Sequence, residues 1–161
     1  MKSIYDWNNE YGLYHQNKTN KIIHWICVPL IMFSLFGLLS FLNFSFSINT
    51  GNYQISILGI SIILVLIFYL KLSKSLAIGM LFISMILYGI VYELSMLHYF
   101  VWHKANLLYF YILIFILSWI GQFIGHKIEG KKPAFFKDLQ FLLIGPVWLL
   151  SFIYNKLNIK I

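Results

Sequence analysis

The sequence predicts an all-α integral membrane protein: a helical bundle of four to five transmembrane helices in a single domain over residues 1–161. Hydrophobic residues make up 60% of the chain and charged residues only 11%, far outside the composition of soluble globular domains. The apolar runs are continuous and do not alternate with polar residues, which favours helices over the strands of a membrane barrel. We therefore expect the lipid bilayer to be the solvent of this chain.

Five apolar runs approach the length needed to cross a bilayer core of roughly 30 Å, which is about 20 helical residues. They lie at about 22–46, 53–70, 75–97, 105–125 and 139–154. The last run is short and is interrupted by Gly145 and Pro146, so it either crosses the membrane or dips into it and returns. Asn20 and Asp138 stand where the N-caps of the first and last helices are expected.

The basic residues are all lysines, and the formal net charge is +7. In a soluble protein this charge would suggest nucleic acid, but here the lysines lie in short connectors, where they contact lipid headgroups and determine topology. We therefore expect contact with membrane lipid and no nucleic acid partner. Most lysines fall on the side of the N-terminus, which predicts that this side is cytoplasmic, in a bacterial inner membrane or the endoplasmic reticulum.

Three of the five histidines fall on the same side as the lysines. His15 precedes the first predicted span, His24 lies in its first turns, and His126 ends the fourth span. A helix, a turn and a second helix could direct His15 and His24 toward one point. Glu129 shares a helical face with His126, and Gln122 could orient its imidazole. Imidazoles with a carboxylate suit Fe(II), Mn(II) or Zn(II), and such sets with open positions are typical of non-haem iron oxygen chemistry.

A plainer interpretation of these residues stays open. Histidines at a membrane interface often only bind water or headgroups, and three of them on one face make this interpretation weaker but do not exclude it. Glu129 is equally compatible with a solvated partner for Lys131 or Lys132.

A second cluster lies at the opposite end of the predicted bundle. Glu93 is within the third span, where an ionisable residue is a functional candidate, and His98 and His103 follow it. However, Glu93 is close enough to the end of its span to reach the interface, and the two histidines occupy a connector. We therefore expect the first cluster, and not this one, to hold the metal.

Two segments of the sequence carry a resemblance to a known family. In "YHQNKTNKIIHWICVP", the residues Tyr14, His15, Asn20, His24 and Pro29 match a Tyr-His, Asn, His, Pro pattern. In "WIGQFIGHKIEGKKPAFF", the match consists of Gln122, Gly125, His126, Glu129, Lys132, Pro133 and Ala134. With these residues the chain resembles the small membrane-bound 2-hydroxy fatty acid dioxygenases of fatty acid α-oxidation. In fungal members the acidic residue stands one position further from the histidine.

The resemblance implies an Fe(II)-dependent, non-haem dioxygenase that uses O₂ to shorten a 2-hydroxy fatty acid by one carbon at the membrane interface. It also implies that His15, His24 and His126 are the metal ligands. A 2-hydroxy acid can chelate iron through its carboxylate and hydroxyl, while its alkyl tail stays in lipid or in an apolar groove. Beside the metal, Glu129, Tyr14 and Lys132 are the candidate catalytic residues.

Two other classes of function fit the same sequence. The histidines could hold a metal or haem in a binding or transport protein without catalytic turnover, or they could be interfacial residues of a structural membrane protein. A homo-oligomer is compatible with each class. Iron content and a visible spectrum of the purified protein would separate these classes.

Overall fold

The computed structural model describes the backbone of residues 2–48, 51–100, 104–130 and 135–161, with side chains except at 46–48, 51–53, 98–100, 104 and 135–140. The all-α fold class is confirmed, with one small hairpin added to it. In chain order the described elements are α1 (Ile4–Leu13), α2 (Lys18–Ser40), β1 (Asn43–Ile48), β2 (Gly51–Ser56), α3 (Ile57–Leu72), α4 (Lys74–Phe100), α5 (Lys104–Glu129) and α6 (Phe135–Lys156).

The starts of the helices differ from the sequence prediction at two positions. The N-cap of α2 is Asn17, whose side chain accepts a hydrogen bond from the backbone N–H of Thr19 at 2.8 Å. Asn20 lies inside the helix and is fully buried, so its prediction as the N-cap is wrong. Helix α6 begins at Phe135, so Asp138 lies within that helix and not at its cap. In both cases, residues upstream extend the helix beyond the apolar run.

The connection between α2 and α3 is an antiparallel hairpin, which the sequence prediction missed. Residues 43–46 were assigned to the first span and 53–56 to the second, but β1 pairs with β2 over both stretches, with Asn43 opposite Ser56. The sequence "NFSFSI" alternates polar and apolar residues, which is a strand pattern of period two. The helical run therefore ends at Ser40.

Helices α2 and α5 pack closely because small residues lie between them. Gly37 of α2 leaves room for the ring of Tyr111, which is fully buried, and a Cβ at Gly37 would overlap that ring. A Cβ at Gly121 of α5 would come within 2.6 Å of the Cys27 sulfur. This close, antiparallel approach brings the end of α5 to the start of α2.

Helix α6 runs across one end of the bundle. Its Leu143 carbonyl accepts a hydrogen bond from Tyr69 near the end of α3, at 2.8 Å, and Tyr154 donates to the Ser75 carbonyl at the start of α4, at 3.1 Å. Both contacts therefore lie close to the α3–α4 turn, although the two α6 residues that make them are about 16 Å apart along α6. Helix α1 is joined to the same part of α6 through the side chain of Asn8, which donates to Ser151 at 3.1 Å.

Three of the described helices are long and apolar enough to cross a bilayer: Lys18–Ser40, Lys74–Leu97 and Ala105–Glu129. Ile57–Leu72 and Phe141–Lys156 are shorter apolar helices. Only 22–28% of the residues in the three long segments are buried within the protein. The remaining apolar surface is too extensive for water and is suited to lipid, so this is a membrane protein.

Candidate metal centre

His15 lies in the short turn between α1 and α2 and is 1% exposed. Its ring stacks on that of Tyr11, with centroids 4.0 Å apart and an interplanar angle of 7°. The Nδ1 atom lies 2.6 Å from the carbonyl oxygen of Tyr11, one helical turn earlier. Trp148 of α6 contacts the imidazole from another side, at a centroid distance of 5.2 Å. Stacking and hydrogen bonding together fix the orientation of this ring.

His24 lies in the second turn of α2 and is fully buried. Its Nδ1 atom is 2.9 Å from the carbonyl oxygen of Asn20, the residue one turn earlier on the same face. The His24 ring meets the His15 ring edge to face, with centroids 4.2 Å apart. The two helices joined by the turn at residues 14–17 therefore bring these two imidazoles together, as the sequence spacing predicts.

His126 comes from the last turn of α5 and is 8% exposed. Its ring centroid is 5.6 Å from that of His15 and 5.2 Å from that of His24. One nitrogen from each of the three histidines lies within 4.8 Å of the other two. A single metal ion could therefore bind all three nitrogens after small side-chain adjustments.

The hydrogen bonds of His15 and His24 determine which ring nitrogen is available. A carbonyl oxygen can only accept, so each Nδ1 must carry the proton that it donates. Each Nε2 then bears a lone pair, and both Nε2 atoms are buried without a hydrogen-bond partner among the described residues. A buried acceptor without a partner is unfavourable, and a metal ion would satisfy both atoms.

Burial keeps His15 neutral. Loss of hydration is the largest effect and lowers the pKa of His15 from its ordinary 6.5 to about 4, and the nearby charges of His126 and Lys21 act in the same direction. The hydrogen bond to Tyr11 and the charge of Glu129 oppose this shift in part. A neutral imidazole is the form that binds a metal, so His15 is ready for coordination at neutral pH.

Glu129 at the end of α5 binds the turn that carries His15. Its two carboxylate oxygens accept hydrogen bonds from the backbone N–H groups of Gln16 at 2.7 Å and Asn17 at 3.0 Å. The side chain of Asn20 donates to the same carboxylate at 2.9 Å. The structure thus places Glu129 beside the three histidines as an anchor for the turn, with three donors already bound.

Asn20 joins the elements that supply the three histidines. Its side-chain amide donates to Glu129 and, at 3.2 Å, to the carbonyl of Tyr14, while its own carbonyl accepts from His24. Gly125 of α5 lies directly against Asn20, since a Cβ at Gly125 would overlap the Asn20 Oδ1 atom. Asn20 was predicted as a helix cap and as part of the matched pattern, but its role as a link between these elements was not predicted. The sequence indicates this role only by placing a polar residue one turn before His24.

The remaining candidates differ in position. The Tyr14 ring packs on Phe141 at a centroid distance of 5.9 Å, beside the histidines. Lys132 lies outside the described residues, as do His103 and the side chain of His98. Glu93 is exposed on α4. The structure therefore does not describe Glu93, His98 and His103 together, and the prediction about this second cluster stays a prediction.

Two spaces flank the histidines. On one side, an open pocket of mixed polarity is lined by His15, Lys21, residues of α1, and Trp148 and Phe152 of α6. On the other side, an apolar groove is lined by His126, Gln122 and Tyr11. Lys21 was not among the predicted site residues, although it stands three residues before His24 and therefore shares a helical face with it. The centre is thus accessible to a polar group from one side and to an apolar chain from the other.

Comparisons of the sequence with known proteins identify its family. A family model described as "Mpo1-like: 2-hydroxy-palmitic acid dioxygenase Mpo1-like" matches residues 1–157. The 2-hydroxy-palmitic acid dioxygenase MPO1 of Saccharomyces cerevisiae is 30% identical over 154 residues, which cover 92% of this chain and 78% of the yeast protein. No solved structure matches the chain. The matched region contains all three histidines.

Proposed function

We propose, since the chain belongs to the Mpo1-like family, that it is a membrane-bound non-haem Fe(II) dioxygenase that shortens 2-hydroxy fatty acids by one carbon. One observation carries most of the support: three buried imidazoles from distant parts of the chain converge, and two of them present an Nε2 atom without a partner among the described residues. The position of the three histidines among apolar helices is consistent with a lipid-derived substrate.

The residues fit iron in kind and number. Three imidazole nitrogens are suitable ligands for Fe(II) and leave further coordination positions open, which is typical of non-haem iron oxygenases. When bound, the iron would supply the redox chemistry that lets O₂ react with the organic acid. Zn(II) would bind the same nitrogens but has no redox chemistry, so the proposed oxidation requires a redox-active metal.

The proposed reaction breaks the bond between the carboxyl carbon and the carbon that bears the hydroxyl. Atoms balance when RCH(OH)COOH and O₂ give RCOOH, CO₂ and H₂O. The hydroxyl-bearing carbon is oxidised to the new carboxyl group, and O₂ is reduced. An acid with an even number of carbons therefore yields an acid with an odd number.

The protein's own residues would hold and orient the substrate. Lys21 lines the pocket on the other side of His15, with Glu10, and would act on the carboxylate of the acid only through its charge at a distance. Lys132 and Tyr14 remain proposed contributors on the sequence pattern alone. We assign Glu129 a positioning role, because its carboxylate is occupied by the turn that carries His15. The lysine distribution supports a cytoplasmic location for this face of the membrane.

The test is to purify the protein, measure its metal content and incubate it with Fe(II), O₂ and 2-hydroxyhexadecanoic acid. We expect iron without a haem absorption band and the formation of pentadecanoic acid. The His24→Ala variant should form none. A Soret band would instead support the haem-binding alternative, and iron without product would support a metal-binding protein that has no turnover.

A further inference from the structure

An apolar groove leads away from the three histidines into the bundle. Its first part begins at His126, Gln122 and Tyr11 and has about 40 Å³ of free space for a water-sized molecule. A second space, of about 100 Å³ on the same measure, lies between α2, α3, α4 and α6. The two parts share four wall residues, Ile31, Met32, Leu142 and Pro146, so they are adjacent.

One face of α2 lines the groove along its whole length. That face consists of Val28, Ile31, Met32, Leu35, Phe36 and Leu39. We call the space along it the α2 groove. From Val28 to Leu39 the helix rises about 17 Å, close to half of the roughly 30 Å hydrocarbon core, which is the depth of one lipid chain. His24 lies one turn before Val28 on the same face, so the groove and the histidines share one axis.

The end of the groove near the histidines carries two hydrogen-bond donors without a partner. The side chain of Gln122 is 6% exposed and lies beside the imidazole of His24. Neither its Nε2 atom nor the indole Nε1 of Trp119 has an acceptor in good hydrogen-bond geometry among the described residues, although the Gln122 amide faces the ring of His24. Both residues line the groove. Buried donors of this kind normally have an acceptor, so the groove is suited to a ligand with oxygen atoms at one end.

We propose that the α2 groove holds the alkyl tail of the 2-hydroxy fatty acid, with the acid's oxygens at the Gln122 end. The proposal rests on the proposed function for the identity of its ligand. A single chain with one polar end matches a groove whose imidazole and amide side chains lie at one end, while Ser61, Tyr69 and Ser84 are the polar residues among the mostly apolar walls of the far part. A bilayer phospholipid fits less well, because Gln122 and His126 at this end are buried, even though Phe123 of the same wall is 48% exposed.

The far end of the groove would then limit the chain length of the substrate. Leu39 at the end of α2 and Leu58 at the start of α3 line this end, and Leu58 is 2% exposed. Ile62 of α3 lines the groove one turn nearer to the histidines, whereas its neighbour Ile63 is 59% exposed. The two isoleucines therefore form a matched pair for a test, one inside the groove and one outside.

The binding test uses a photoreactive probe, 2-hydroxyhexadecanoic acid with a diazirine near the end of its chain, and iron-loaded protein in lipid nanodiscs. We expect crosslinks near Leu39 and Leu58. An excess of unlabelled 2-hydroxyhexadecanoic acid should remove them, and the same excess of phosphatidylcholine should not. Crosslinks on the outer face of α3 at Ile63, or equal competition by the phospholipid, would overturn the proposal.

A chain-length measurement tests the proposal independently. Ile62→Phe should lower kcat/KM for the 18-carbon acid relative to the 12-carbon acid by about tenfold or more, because added bulk obstructs a packed space. Ile63→Phe should leave this ratio unchanged, and equal ratios in the two variants would contradict the groove. If crosslinks map to the groove but no odd-chain acid forms, the proposed reaction fails and the binding site stands. If product forms while crosslinks lie outside, the groove alone fails.

Discussion

The carboxylate of Glu129 accepts a hydrogen bond from the side chain of Asn20 at 2.9 Å, across 109 positions of sequence. Glu129 ends the helix that carries His126, and Asn20 lies one turn before His24. The same carboxylate binds the turn that carries His15. One acidic side chain therefore joins all three parts of the chain that supply the candidate metal ligands.

We expect Glu129→Gln to weaken metal binding without unfolding the bundle. The substituted amide has one acceptor oxygen in place of two, and its NH₂ group would face either the Gln16 N–H or the donors of Asn17 and Asn20. Hydrogen bonds to a charged group contribute about 1.5–3 kcal/mol each, so the turn should become less firmly held. Iron content and metal affinity of the purified variant measure the effect. Glu93→Gln, on the exposed face of α4, is the control and should retain iron like the wild type.

Gly125→Ala should disturb the centre through Asn20. A methyl group at this position overlaps the Asn20 Oδ1 atom, so either Asn20 or α5 must move. We expect a loss of about 1–3 kcal/mol in stability, which is the usual range for overpacking, together with lower iron retention. Thermal unfolding in detergent measures the first effect. Gly89→Ala is a matched control, since nothing lies within 4 Å of a Cβ there, and it should unfold at or above the wild-type temperature.

Much of the architecture could be predicted because apolar run length is a direct consequence of bilayer thickness. The spans at 75–97 and 105–125 fall inside α4 and α5. The hairpin was missed because a short alternating stretch such as Asn43–Ile48 adjoins a long apolar run and looks like its continuation. The orientation of α6 depends on its packing against α1 and α4, which no local pattern encodes.

The candidate centre was predictable in its histidines but not in its supporting contacts. The spacing of His15 and His24 and the position of His126 at a helix end indicated one shared location. The hydrogen bonds of Glu129 to backbone N–H groups required knowledge of how the turn lies against α5. Sequence alone therefore suggested Glu129 as a ligand or a catalytic residue, while the contacts favour a positioning role.

Each of the three histidines should be required for iron retention. His15→Ala, His24→Ala or His126→Ala removes one of three nitrogens and leaves a ligand set too small to hold the ion, so we expect iron content to fall close to zero in each variant. His98→Ala and His103→Ala should keep wild-type iron content. Elemental analysis after identical purification provides the comparison. Equal iron loss in the second pair would show that the metal is held elsewhere.

The stability of the metal-free protein should fall as the pH decreases from about 6.5 to about 4. His15 has a pKa of about 4 in the folded protein and 6.5 when exposed, so above pH 6.5 it is neutral in both states. Below that, the unfolded chain takes up a proton that the folded protein does not, which favours unfolding until about pH 4. The difference amounts to roughly 3 kcal/mol for this residue. We would measure the free energy of unfolding against pH in detergent with a chelator present. In the His15→Gln variant, the free energy of unfolding should depend less steeply on pH between about 4 and 6.5. An unchanged dependence in that variant would mean that the pKa of His15 does not differ between the folded and unfolded states.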